Sequence, residues 1–309
     1  MDTLLFTHPA CIGHETGGGH PERPERLQAV LGALETESFT LLQRREAPEA
    51  TVEQIARAHP EGFVRRLLAA VPAHGLTPID GDTILSPGSG AAALRAAGAG
   101  CAAVDAILAG EARNAFCAVR PPGHHAETAR AMGFCLFNNV AVAAMHARIA
   151  HGIGRIAVVD FDVHHGNGTQ DIFWSEPEMF YASTHQSPLY PGTGDVGETG
   201  VAGNIVNAPL PAMSNGTVFR REMERVVLPA LDSFAPELVL ISAGFDAHAR
   251  DPLAHLDLTE TDFAWATLEI MALADRHCGG RVISTLEGGY DLRALALSSA
   301  AHVHALMTG

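Results

Sequence analysis

The sequence predicts an α/β fold in which a mostly parallel central sheet is covered by helices on both faces. Three observations carry that expectation. Short runs rich in aliphatic and aromatic residues alternate with longer helical patterns along the chain, and strands separated by helices return as parallel neighbours through right-handed crossovers. Hydrophobic residues make up 47% of the 309 and charged residues 18%, enough for a sizeable core and too apolar for a disordered chain. No fixed-period repeat, low-complexity tract or obvious linker divides the sequence, so residues 1–309 are expected to form a single domain.

In chain order, TLLFT (3–7) reads as the first strand, followed by a helix over 23–36 that Pro24 suits for entry. A second helix is expected over 60–71 and a third over 89–110, just after Pro87. The third is rich in alanine and glycine and contains Arg95 and Asp105. Its composition suits a tightly packed internal helix better than a membrane span. AFCAV (115–119), RIAVVDFD (155–162) and MFYAST (179–184) read as strands, with a helix over 138–151 between the first two. A helix over 214–234 precedes the strand LVLISA (238–243). A helix over 259–278, the strand RVISTL (281–286) and a helix over 291–307 complete the chain.

Composition narrows the function. A net charge of −15 argues against a nucleic-acid partner, which needs clustered Lys and Arg. Five scattered cysteines with no C-x-x-C pair suggest neither a disulfide framework nor a cysteine zinc knuckle. MDTLLFTHPA lacks a basic region followed by a long apolar stretch, so neither a secretory signal nor a membrane partner is expected. The expectation is a cytoplasmic protein, with a homo-oligomer left open.

Chemistry collects where strands end. AFCAV is followed by RPPGHHAE, RIAVV by DFDVHHGNG, MFYA by STHQSPLYPGTGD, LVLISA by GFDAHARDP and RVISTL by EGGYD. Ligands of open α/β sheets bind at the carboxyl edge of the strands, so these five loops are expected to share one pocket. If the second strand stays extended, Asp160, Asp162 and His164 point to one side, and Phe161 and Val163 to the other. A D-x-H pair alone more often caps a sheet than binds metal. Asp246, from another strand end, changes the odds. Two aspartates and one histidine form a sparse donor set that leaves room for water and substrate, as in a catalytic zinc site. His124 and His125 follow a Pro-Pro-Gly turn, and paired imidazoles beside a metal-activated water can take and return a proton. Asp160 and Asn167 are suitable acceptors to orient them. Tyr290 offers a phenol for a developing oxyanion; without these neighbours it would read as a packed rim aromatic.

The ordered set HPERPERL, RPPGHH, GFCLFNN, DFDVHHGNGTQ, PGTGD, SAGFDAH and LEGGYD resembles the zinc-dependent histone deacetylase superfamily over residues 20–293. HHGNGTQ, with Asn167, and LEGGYD, with Glu287, resemble class II members and bacterial amidohydrolases more than class I. The resemblance implies the arginase/deacetylase-like three-layer fold and hydrolysis of an N-acetylated amine with release of acetate. It implies Asp162, His164 and Asp246 as ligands of one Zn2+ ion, for which iron(II) remains an alternative. It implies catalytic roles for His124, His125 and Tyr290, with Asp160 orienting His124 and Asn167 beside His125. Asp160, Asp162, His164, Ser183 and Thr184 match a structural monovalent cation site, for K+. Phe134 and Tyr190 match the walls of an acyl-lysine tunnel, Leu253 its mouth, and Gly133 and Gly288 its substrate-binding backbone. Asp251 matches a rim group for substrate amides, and Arg26 the arginine of an acetate channel.

The implied partner is an acetylated lysine peptide or protein, or an acetylated small amine. An acetylpolyamine amidohydrolase is the first rival, weakened by Leu253 standing where an acidic gatekeeper would be. Acetoin-utilisation-type deacetylases are a closely related alternative. An arginase-type ureohydrolase is disfavoured because Asn167 replaces a metal-bridging carboxylate. A non-catalytic acyl-lysine-binding module is disfavoured because each residue the chemistry needs is present.

Overall fold

The structure, a computed structural model, describes residues 3–309. The strands are β1 (Thr3–Thr7), β2 (Gln43–Glu46), the short pair β3 (Thr77–Pro78) and β4 (Ile84–Leu85), β5 (Asn114–Cys117), β6 (Ile156–Asp160), β7 (Met179–Gln186), β8 (Ile205–Leu210), β9 (Leu238–Ala243) and β10 (Val282–Leu286). The helices are α1 (Glu25–Ala33), α2 (Val52–Ile55), α3 (Glu61–Ala69), α4 (Ser89–Leu108), α5 (Asn139–His151), α6 (Asn167–Phe173), α7 (Gly216–Glu222), α8 (Leu228–Phe234), α9 (Glu260–Cys278) and α10 (Leu292–Thr308). Eight strands form one sheet in the order β2-β1-β5-β10-β9-β6-β7-β8, and every pairing in it is parallel. Helices lie on both faces, which makes three layers.

Central strands are buried along their whole length, as parallel strands covered twice must be. The sheet edges read differently. β2 is Gln-Arg-Arg-Glu and β8 contains Pro209, both features that discourage pairing with another chain. The same features hide these strands from an apolar-run reading, and neither was expected. The helix expected over 214–234 is α7 and α8 joined through a π-helical turn at Met223–Val227.

α4 is long and apolar enough to cross a membrane by length and composition, yet two-thirds of it is buried against the rest of the protein. Its small residues have a packing reason. A Cβ at Gly98 would lie 2.0 Å from the Pro48 carbonyl oxygen, and one at Gly100 would lie 2.9 Å from the Ala143 Cβ in α5. Close approach of that kind fills a core without large side chains.

The expected extension of the β6 strand through residue 162 is not observed. β6 ends at Asp160, because the Asp162 amide donates to Asp160 Oδ1 (3.1 Å) and the His164 amide to Asp162 Oδ1 (2.9 Å). These local side-chain bonds turn the backbone instead of continuing the ladder. The five loops expected to converge follow β5, β10, β9, β6 and β7, which are five consecutive strands of the sheet. Their carboxyl ends therefore form one continuous floor.

Behind that floor, α9, β10 and α10 meet at His302. Its ring is fully buried, with Thr267 Oγ1 2.6 Å from Nδ1 and Ser284 Oγ 2.8 Å from Nε2. Burial pushes its pKa down to about 3, whereas the unfolded chain titrates near 6.5. Between those values the unfolded state binds more protons, so this contribution is full above pH 6.5 and declines as the pH falls. His302→Ala should destabilise by about 3 kcal/mol at pH 7.5 through a cavity and the loss of the Ser284 hydroxyl's partner, Thr267 keeping its bond to the Phe263 carbonyl, and the gap from wild type should narrow by pH 5. Urea unfolding at the two pH values checks this; equal midpoints at pH 7.5 would contradict it.

Candidate active site

Asp162 and His164 lie in the turn after β6, and Asp246 in the loop after β9. His164 Nδ1 is 3.1 Å from Asp162 Oδ1 and 3.1 Å from Asp246 Oδ2, and all three residues are buried. The carboxylates are fixed from behind by backbone amides: Gly288 N–H donates to Asp162 Oδ2 (2.8 Å) and Val163 N–H to Asp246 Oδ1 (2.9 Å). Burial alone would lower the His164 pKa, but the two carboxylates raise it to about 10. The site thus attracts positive charge. One nitrogen and two carboxylate oxygens converging in a buried pocket fit a divalent cation with open coordination positions.

A second group, Asp105, His146 and His151, has its ligand atoms equally close, but its tautomer argues against a metal. Arg57 Nη1 is 2.7 Å from His146 Nδ1, and a guanidinium can only donate. His146 Nδ1 is therefore the acceptor and Nε2 carries the proton, which Asp105 Oδ1 accepts at 2.8 Å. That nitrogen has no lone pair for an ion.

The tandem histidines take two different states. His124 Nδ1 donates to Asp160 Oδ2 at 3.0 Å, and Tyr181 Oη donates to the same oxygen at 3.0 Å. Burial would lower the His124 pKa, but Asp162 and Asp160 hold it well above the usual value. His125 lies beside it, with ring centroids 4.0 Å apart. Burial and the charges of His124 and His164 hold its pKa well below the usual value. Asn167 Nδ2 donates to Glu127 Oε1 (2.8 Å), so Asn167 Oδ1 faces His125 Nδ1 (2.8 Å) and accepts its proton. Nε2 of His125 is left with its lone pair. The surroundings favour the cationic form of the first imidazole and the neutral form of the second.

A cavity of about 250 Å³ leads to these groups. Phe134, Tyr190 and Leu253 line it together with His125, His164 and Tyr290. Tyr190 packs edge-on to His125 (5.1 Å) and Phe134 edge-on to Tyr290 (5.8 Å). Gly133 and Phe134 both have positive φ, 57° and 68°. For phenylalanine this conformation costs energy, and the Phe134 amide donates to Thr83 Oγ1 in that position (3.2 Å). Gly133 lines the cavity.

Other expected site residues move. Gly288 does not line the tunnel: a Cβ there would lie 2.0 Å from Asp246 Oδ2, so it packs behind the ligand carboxylates. Asp251 does not present its carboxylate at the rim. It is buried and accepts the amides of Leu253, Tyr290 and Asp291. Arg26 is fully buried, donates to the carbonyls of Glu287 (2.5 Å) and Gly289 (2.6 Å), and lies 4.8 Å from the Tyr290 ring centroid. Ser183 stands opposite Asp160 in the β6–β7 register, with Thr184 next to it, both buried. His165 serves elsewhere, tying Thr193 (2.7 Å) to Gln170 (3.1 Å).

Sequence reasoning missed the place of one group and the roles of two others. Asp82 lines the cavity from the segment before β4, and no local motif marks it. Glu22 takes Arg120 Nη2 (2.7 Å) and Arg26 Nη1 (3.0 Å), which ties the 20–27 segment to the turn before His124. Burial would raise the Glu22 pKa, but Arg120 and Arg26 bring it down to about 2. Glu287 Oε2 accepts the amides of Gly123 (2.6 Å) and His124 (3.2 Å), which fixes the tandem pair through its backbone.

Fold and site together fit a hydrolase with a place for a metal ion at its strand ends. A histone deacetylase domain profile matches residues 20–306. The chain is 42% identical to the histone deacetylase-like amidohydrolase of Pseudomonas aeruginosa, covering 93% of this chain and 81% of the relative. It is 40% identical to histone deacetylase 14, chloroplastic, of Arabidopsis thaliana, covering 98% and 76%. The solved HDA15 HD domain superposes with a TM-score of 0.93 at 35% identity, covering 99% and 88%. The chain belongs to the histone deacetylase family, and it is a deacetylase-type hydrolase of amide C–N bonds. Asp246→Ala should abolish stoichiometric zinc binding while Asp105→Ala leaves it intact. Metal analysis after dialysis checks this, and equal zinc content in the two variants would contradict the assignment.

Proposed function

We propose that the protein is a zinc-dependent deacetylase whose preferred substrate is an N-acetyl-lysine side chain. The observation that carries this reading is the cavity lined by Phe134, Tyr190, His125 and Tyr290, which reaches His164 of the Asp162–His164–Asp246 group. An unbranched methylene chain fits between two aromatic faces, and its amide then meets the polar base. What a bound zinc ion supplies is Lewis acidity, lowering the pKa of water from ~15.7 toward ~7.

The protein's own groups do the rest. His125 Nε2 accepts the proton of the attacking water, a role suited to a neutral imidazole whose other nitrogen is held by Asn167. Burial keeps the Tyr290 phenol protonated, well above its usual pKa, so it donates to the oxyanion that forms on the acyl carbon. Such a donor is worth roughly 3 kcal/mol in other enzymes. His124, held as a cation by Asp160, adds positive charge as the oxyanion develops. His125 returns its proton to the departing amine, and acetate is released. Exit of acetate past Arg26 belongs to the same proposal, as does a K+ ion beside Asp160, Asp162, His164, Ser183 and Thr184. The register pairing of Asp160 with Ser183 supports the latter. A cytoplasmic setting is also proposed, supported by five free, buried cysteines.

One observation favours acetylpolyamines as a second reading. Asp82 places a carboxylate at the cavity, with Asp80 two residues away, and such a pair attracts a cationic substrate. Acetate release from zinc-loaded protein, measured on acetyl-lysine peptides and on acetylated polyamines, decides between the two. Higher kcat/KM on the peptides supports the first reading and higher kcat/KM on polyamines the second. No release from either panel, with metal bound, would sink both. Tyr290→Phe should lower kcat by about 10²–10³-fold with zinc content unchanged; unaltered turnover would refute its role.

A further inference from the structure

Tyr290 has to present its hydroxyl to the acyl group, yet that hydroxyl has no hydrogen-bond partner among the described residues. Its position is therefore set by packing and by its backbone. Phe134 touches one side of the ring and Arg26 lies over it. Arg26 also holds the carbonyls of Glu287 and Gly289, which fixes one side of the loop after β10. The amide side is held by a single group. Asp251 Oδ2 accepts Tyr290 N–H at 2.7 Å and Asp291 N–H at 3.4 Å, while its Oδ1 accepts Leu253 N–H at 3.0 Å.

We propose that Asp251 is a positioning residue for Tyr290, latching the Tyr290 loop to the loop that carries Leu253 at the tunnel mouth. The inference rests on the deacetylase reading for what Tyr290 does, but the latch itself is a contact between two loops. A carboxylate suits this place because all three neighbours are donors. An amide at this position offers one acceptor oxygen, and its NH₂ group would face the N–H of either Leu253 or Tyr290. The unpaired buried amide would then turn toward any other acceptor. Gly289, with φ +123°, sits just before Tyr290 and gives the loop the freedom to follow. A catalytic donor misplaced by about 1 Å costs on the order of 10²-fold in rate. Buried and turned toward these backbone amides, the carboxylate could serve a substrate at the rim only by breaking the latch.

Asp251→Asn should lower kcat by about 10–10²-fold, with KM and zinc content unchanged. In a Tyr290→Phe background the same substitution should cause no further loss, because its effect passes through the phenol. Amide hydrogen exchange should accelerate in the segment 286–293 and stay unchanged in 120–126. Asp251→Glu, which keeps the charge but displaces the oxygens, takes the place of Asp251→Asn if that variant does not fold. A raised KM at unchanged kcat would overturn the proposal in favour of a substrate-binding rim. A full additional loss in the Tyr290→Phe background, or unaltered exchange in 286–293, would overturn it as well. If the wild-type protein releases no acetate, the deacetylase reading fails, and the exchange measurement alone decides the latch.

Discussion

The buried carboxylates at the carboxyl edge of β6, β9 and β10 are the constraint around which this protein is arranged. Asp160, Asp162, Asp246 and Glu287 are all essentially inaccessible to water. Burying that much negative charge is costly unless each group is paired, hydrogen-bonded or bound to a cation. The structure answers each one separately. Asp160 faces His124 and Tyr181, Glu287 faces the amides of Gly123 and His124, and Asp162 and Asp246 converge on His164. Asp162 also lies 3.8 Å from His124 Nε2, whereas Asp246 has His164 as its one imidazole. That residual demand for positive charge is what suits the place to a metal ion.

The loops that carry these groups are held by bonds to backbone as much as by bonds to side chains. Arg26 grips two carbonyls of the Tyr290 loop, Asp251 grips its amides, and Glu287 grips the amides beside the tandem histidines. Glu22 joins Arg26 to Arg120, so the turn before His124 and the loop before α10 are referenced to one buried ion pair network. A site built on five strand ends needs such cross-links, since loop backbone has no ladder of its own. The two histidines show the outcome. Asp162 and Asp160 favour the cationic form of one, and Asn167 leaves Nε2 of the other free to accept a proton.

Much of this was legible in the sequence for a physical reason. Doubly covered parallel strands must be apolar throughout, so LVLISA and TLLFT announce themselves, and the ionisable loops that follow stand out against them. The motif order then pointed to the Asp162–His164–Asp246 group, to the tandem histidines and to Phe134 and Tyr190, which line the cavity. The edge strands were hidden because an edge is protected by charge or proline, as in β2 and at Pro209. The turn at Asp162 depends on side chains bonding their own backbone, which no apolar pattern reports. Asp251 and Gly288 were placed toward substrate because their neighbours in sequence are there. Whether a carboxylate faces the tunnel or turns inward depends on amides contributed by a loop some 40 residues away.

The central claim is that Asp162, His164 and Asp246 hold the catalytic ion. Anomalous diffraction at the zinc edge from a crystal of the zinc-loaded protein tests it most directly. The account predicts one strong peak at about 2.0–2.2 Å from His164 Nδ1 and from a carboxylate oxygen of each aspartate. A peak at Asp105, His146 and His151 instead, or no peak between the two aspartates, would contradict it.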